Sequence, residues 1–175
     1  MLPFSLPLVV RPFAARVALA SRVQFRTKMT LPKPNTQPPK CALVIHNLPK
    51  VAAESDKFRR VLFTGRHSQL VIMTVPVGGE IGEETHTVDQ HLYFVSGTAQ
   101  VITDGKKKED IATGDHVIIP AGTLHNFVNT GPTPLIVTTV YAPAEHKANT
   151  VHDTLEQGEK LEDEGKDDPP KWAKE

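Results

Sequence analysis

The sequence predicts an all-β fold, a sandwich or barrel formed by a single domain. Three observations carry that expectation. From residue 42 onward, apolar residues fall in short β-branched runs or alternate with period two. Turn residues punctuate these runs at intervals of about 8–12 positions, the spacing of sandwiches and barrels. No strand-like run alternates with a long helical pattern, as a parallel α/β sheet would require. A length of 175 residues, with 39% hydrophobic and 23% charged residues, suits one domain able to bury a core.

Before that region lie two segments of different character. Residues 1–30 carry Arg11, Arg16, Arg22, Arg26 and Lys28, and the first carboxylate of the chain is Glu54. An Arg-rich, Ser-containing, acid-free leader has the composition of a mitochondrial targeting segment, with residues 13–26 able to form an amphipathic helix after Pro12. A start at Met29 would instead give a shorter cytoplasmic form. Residues 31–40 hold four prolines, a density that forbids helix or central strand and reads as an extended linker.

The barrel is expected over 41–148. Its strands are Ala42–His46, Val61–Thr64, Leu70–Val75, His91–Val95, Ala99–Thr103, Val117–Ile119, Asn126–Asn129 and Leu135–Tyr141. Between them fall Val77-Gly-Gly-Glu80, Ser96-Gly97, Asp104-Gly105, Thr113-Gly-Asp115, Pro120-Ala-Gly122 and Thr130-Gly-Pro132, all turn formers. Lys106–Lys108 beside Glu109-Asp110 reads as a solvated hairpin turn. Residues 149–175 follow as a short helix, capped by Thr150, and an acidic tail exposed to solvent.

The charge pattern excludes several function classes. The net charge is zero, but the excess of bases sits in the leader and the body is slightly acidic, so a nucleic-acid partner is not expected. No run of 18 apolar residues exists, so no membrane-spanning helix is expected. The lone Cys41 excludes an intramolecular disulfide or a cysteine-based metal cluster. Gly78-Gly79 belongs to no nucleotide-binding pattern.

The residues with chemistry lie in two stretches, 78–97 and 114–129. Glu84 and His86 are two apart and share a face if extended. Gln90 shares a face with Leu92 and Phe94, and His125 with Phe127 and Asn129. Should these faces meet inside one barrel, Glu84, His86, Gln90 and His125 converge in an apolar interior. A carboxylate there requires a cation or another partner. Carboxylate and imidazole suit iron, manganese, zinc or nickel, and no thiolate is present. Glu83 should point outward. His46, His67, His91 and His116 read as surface or half-buried residues, and Tyr93 and Tyr141 as packing or rim residues. The stretch from Glu145-His146 to Val151-His152 could fold back over the barrel mouth.

Gly114, Pro120, Gly122, His125 and Asn129 have the spacing of the second motif of the cupin superfamily, which the sequence resembles over about residues 58–142. Gly78, His86 and Gly97 fall in register with its first motif, but Glu84 stands in place of the first histidine and Gln90 in place of the usual glutamate. The resemblance implies a cupin-type β-barrel, or jelly roll, with a divalent metal ion held by Glu84, His86, Gln90 and His125. It also implies a small-molecule substrate or ligand in the barrel and a homodimer, for which Ala42–His46 is the candidate edge strand. The expected function is a small metal-dependent enzyme of oxidoreductase or dioxygenase type. A cupin isomerase and a non-enzymatic binder of a sugar or aromatic acid are the alternatives.

Overall fold

A computed structural model describes residues 30–173. The expected targeting leader lies almost entirely outside these residues. Among these described residues nine strands form: β1 (Arg59–Thr64), β2 (Gln69–Val75), β3 (Asp89–Ser96), β4 (Thr98–Thr103), β5 (Lys107–Ala112), β6 (His116–Ile119), β7 (His125–Asn129), β8 (Leu135–Ala142) and β9 (Val151–His152). Two helices join them, α1 (Leu48–Ala52) and α2 (Leu155–Asp163), and Lys171–Ala173 form a single 3-10 turn. The strands make a six-stranded sheet of order β6-β3-β8-β2-β1-β9 and a three-stranded sheet of order β5-β4-β7. All pairings are antiparallel, so the all-β jelly-roll expectation holds.

Alternation explains which residues enter the barrel. Along β3, Gln90, Leu92 and Phe94 are buried, and along β7, His125, Phe127 and Asn129 are buried. Phe94 and Phe127 meet across the interior with ring centroids 5.6 Å apart. Burial of each such ring stabilises the fold by about 1.5–3 kcal/mol. β1 and β2 break the alternation because both of their faces are covered. Val61, Val71 and Met73 face the barrel core, while Leu62 and Ile72 pack beneath Val51 and Ala52 of α1.

That outer layer changes the reading of the segment before β1. Ala42–His46 is not a strand. It runs without regular structure into α1, where Asn47 takes a left-handed conformation and caps Lys50. Ile45 packs on the outer cluster. β1 is paired on one side with β2 and on the other with β9, through Arg59↔His152 and Arg60↔Val151. The segment therefore does not supply the edge strand on which the dimer expectation rested. The proline-rich 31–40 stretch forms neither helix nor strand, but Asn35 exchanges two hydrogen bonds with the Thr64 backbone.

Two more corrections concern charged segments. The turn after β4 spans only residues 104–106, with Asp104 and Gly105 at positive φ and the Lys106 amide donating to the Thr103 carbonyl, so Lys106 lies in the turn as expected and Lys107 and Lys108 do not. Lys107–Ala112 then continues as β5, with Ile111 inward and its charges outward. Charge on an edge strand discourages pairing with other chains. Thr150 does not cap the helix; Thr154 does, accepting from the Gln157 amide. Nor is the acidic tail uniformly solvated, since Asp167 and Ala173 are buried.

Candidate metal centre

The site forms where the chain between β2 and β3 lies along the free edge of β7. Ile81 donates to the Phe127 carbonyl, Asn129 donates to Gly79, and Glu84 and His125 exchange both backbone hydrogen bonds at 2.9 and 3.0 Å. This ladder places Glu84 directly opposite His125. A further bond, from the Gly122 amide to the His86 carbonyl at 2.8 Å, ties the two motif stretches together. Gly122 makes it at φ +81, a conformation that favours glycine. Asn129 secures the base of β7: its amide donates to the Val75, Pro76 and Thr133 carbonyls, and its oxygen accepts from Gly131.

The four expected residues come together. His86 Nε2 lies 3.0 Å from Glu84 Oε2, and His125 Nε2 lies 3.0 Å from Gln90 Oε1. The two imidazole centroids are 5.4 Å apart. The ligand atoms of Glu84, His86 and His125 all lie within 4.8 Å of one another. Ligands at adjacent octahedral positions, about 2.1 Å from an ion, stand about 3.0 Å apart. Each histidine also has its other nitrogen engaged. His125 Nδ1 is 2.8 Å from the Thr123 carbonyl, and His86 Nδ1 is 3.2 Å from Glu145 Oε1. An imidazole that donates from Nδ1 to a carbonyl or carboxylate presents a lone pair at Nε2, the usual outer support of a metal-bound histidine.

The donor set therefore fits a divalent ion. With His125 donating from Nδ1, its Nε2 lone pair faces the Gln90 oxygen, so two acceptors confront each other. A cation between them resolves the conflict. Turning the amide over would also resolve it, but would leave the carbonyl unpartnered in place of Nε2, which is buried without a partner as the side chain stands. Glu83 is exposed, as expected. His46, His67 and His116 are exposed, and His91 pairs with His116 at 3.3 Å on the outer face.

Sequence reasoning missed Arg59, which is 1% exposed. Its guanidinium donates to Glu84 Oε1 at 2.9 Å and to Glu162 on α2. Glu84 thus has one oxygen neutralised and the other facing the histidines. The signal was present in the parity of β1, since Arg59 and Val61 share the inward face. Glu145 belongs to the segment read as a possible flap, and that segment does return to the mouth. His146 is buried beside Tyr141, their rings meeting edge to face at 5.0 Å. Tyr141 is fully buried and also meets His86 edge-on at 5.3 Å.

Electrostatics follow from this crowding. Burial would raise the Glu84 carboxyl, but the His86 hydrogen bond and the Arg59 charge outweigh it and hold the group at about 2. Burial would lower His86, but its bonds to Glu145 and Glu84 push it up to about 9. Burial depresses His125 despite its bond to Thr123. Burial and the nearby Arg59 likewise depress His146. Protonated His86 therefore contributes stability that is complete below its ordinary value of 6.5 and is lost as pH rises through about 9. Glu84 contributes stability present above its ordinary 4.5 and lost as pH falls toward about 2. The chelated protein is expected to lose Tm between about pH 6.5 and 9. Thermal unfolding in a chelating buffer checks this; a flat Tm across that window would contradict the assignment.

Beside Glu84 and His86, the two residues of the cluster that reach it, lies a cavity of about 410 Å³, lined also by Glu83, Glu145, His146 and Glu162 among others. Its walls are acidic and its size suits a small molecule.

A jelly roll with a carboxylate and two imidazoles at its mouth defines the class, and comparison with known proteins supplies the family. Residues 71–141 match the cupin domain family. The uncharacterised Bacillus subtilis protein YrkC is 36% identical over 124 residues, covering 67% of this chain and 66% of that protein. An uncharacterised protein of Acanthamoeba polyphaga mimivirus is 35% identical over 105 residues, covering 57% and 65%. The matched region thus spans about two thirds of these relatives. The crystal structure of BH2720 from Bacillus halodurans superposes with a TM-score of 0.66 at 32% identity, covering 70% of this chain and 98% of that one. The chain belongs to the cupin superfamily.

Proposed function

We propose that the protein is a divalent-metal cupin acting on a small molecule at the barrel mouth, with Glu84, His86 and His125 as ligands and Gln90 as an oxygen ligand. The observation that carries this reading is the paired support of the imidazoles. Thr123 and Glu145 hold the Nδ1 atoms, so His86 Nε2 meets the Glu84 carboxylate and His125 Nε2 meets the Gln90 oxygen, with the Glu84, His86 and His125 ligand atoms within 4.8 Å of one another. One carboxylate and two imidazoles are a donor set that suits iron, manganese, zinc or nickel. Such an ion supplies Lewis-acid polarisation of an oxygen-bearing substrate or activation of dioxygen.

The chain's own groups favour that chemistry over base-driven isomerisation. Among the carboxylates of the cavity, Glu145 is the one bonded to a ligand imidazole outside the ligand set. Burial would raise it, but its bond to His86 outweighs burial and keeps it below the ordinary value, which makes it a weak base. Phe94, Phe127 and Tyr141 exclude water from beneath the ligands. The acidic walls favour a neutral or cationic substrate over an anionic one.

Elemental analysis of protein purified without chelator, set beside the same analysis of the His86→Ala/His125→Ala variant, tests the reading. Iron, manganese, zinc or nickel is expected in stoichiometric amount at the barrel site. Protein that holds no ion there, even after each metal is added, would point instead to a binder of neutral ligands, with Arg59, Glu84 and His86 as an ion-paired structural triad. We also propose mitochondrial import directed by residues 1–30, supported by their bases and lack of acids. A fluorescent fusion lacking residues 1–28 should stay in the cytoplasm; unchanged mitochondrial targeting would refute that role.

A further inference from the structure

We infer that the segment after β8 builds a second divalent-cation site, of zinc type, from His146, His152, Glu162 and Asp167. None of these residues lies in the stretch that matches the cupin family, and none contributes to the four-residue cluster in the barrel.

The geometry is that of a converging donor set. His146 Nδ1 stands 2.9 Å from Asp167 Oδ2 and 3.7 Å from Glu162 Oε1. His152 Nε2 stands 3.7 Å from the same Asp167 oxygen. Ligands around a tetrahedral ion, about 2.1 Å from it, are about 3.4 Å apart. The ligand atoms of His146, Glu162 and Asp167 lie within 4.8 Å of one another. The other Asp167 oxygen is occupied, accepting from Thr150 Oγ1 and the Lys147 amide, so Oδ2 is the one turned toward the imidazoles.

His152 separates this cluster from an ordinary buried hydrogen-bond network. Its side chain is 2% exposed, its Nδ1 has no partner, and its Nε2 is too far from Asp167 for a hydrogen bond. Burial of an imidazole in that state is costly unless a nitrogen is engaged. Two imidazoles and two carboxylates without thiolate suit zinc and neighbouring divalent ions. α2 approaches because Gly158 faces the cluster, where a Cβ would stand 3.0 Å from His152 Nδ1.

An ion here fastens α2 and the 145–152 segment together over the barrel mouth. Arg59 couples the two sites, since one of its nitrogens meets Glu84 and another meets Glu162.

The test uses full-length protein stripped with chelator, titrated with zinc alone and desalted before bound zinc is counted. The His86→Ala/His125→Ala double variant is expected to keep one bound equivalent. His152→Ala and Glu162→Gln are each expected to lose one equivalent relative to wild type. A double variant that keeps its circular dichroism but binds no zinc overturns the inference, as do His152→Ala and Glu162→Gln proteins that both hold as much as wild type. Should the double variant not fold, His152→Ala and Glu162→Gln, each with unchanged circular dichroism, are compared with wild type together, because Glu162 also bonds Arg59 and a loss in that variant alone could arise at the barrel site. Wild type holding one equivalent that survives in the double variant supports this cluster and counts against the barrel site.

Discussion

Replacing Arg59 by alanine is expected to cost about 3–5 kcal/mol, the loss usual when one partner of a buried ion pair is removed. Three effects combine. The substitution leaves Glu84 beside His86 without its guanidinium, frees Glu162 on α2, and opens a cavity between β1 and α2. The Glu84 carboxyl, no longer held at about 2 by both neighbours, should titrate nearer its ordinary range. Arg59→Lys should recover part of the loss, because it restores charge but not the fork that reaches two carboxylates at once. Urea unfolding of the three proteins measures this; an Arg59→Ala cost below about 1 kcal/mol, the range of surface pairs, would show that the guanidinium is not paired as described.

His125→Ala is expected to weaken binding at the barrel site by at least about 100-fold, more than the loss of an outer-shell group alone. Its Nε2 is one of two imidazole donors, and its Nδ1 is fixed by Thr123. Glu145→Gln, by contrast, keeps all ligands and changes only the partner of His86 Nδ1, so it should weaken the ion by about 10-fold. Competition with a chromophoric chelator distinguishes the two. Equal effects would mean that Glu145 is itself a ligand or that His125 is not.

Much of this fold was legible because its local rules agree. Asp104-Gly105 dictated a tight hairpin, and the parity of Gln90, Leu92 and Phe94 and of His125, Phe127 and Asn129 dictated which side chains meet inside. The site was legible for the same reason, and the spacing of Gly114, Pro120, Gly122, His125 and Asn129 added a family resemblance. Ala42–His46 misled because a β-branched run looks the same whether it pairs in a sheet or lies across one; α1 and β9 decided its fate. Lys107–Ala112 was missed because an edge strand with one inward residue shows almost no apolar pattern. Arg59 was hidden by its charge, which suggests exposure, although its parity with Val61 points inward. Glu162 and Asp167 could not be assigned, since a polar tail reveals nothing of where it docks.

Anomalous diffraction from crystals of the protein purified without chelator and measured at the absorption edge of the metal found in it tests the barrel site most directly. A peak is expected at about 2.0–2.3 Å from Glu84 Oε2 and the Nε2 atoms of His86 and His125. Crystals whose analysed metal gives no peak there, with His86 bonded directly to Glu84 and the Gln90 amide turned to donate to His125, would contradict it.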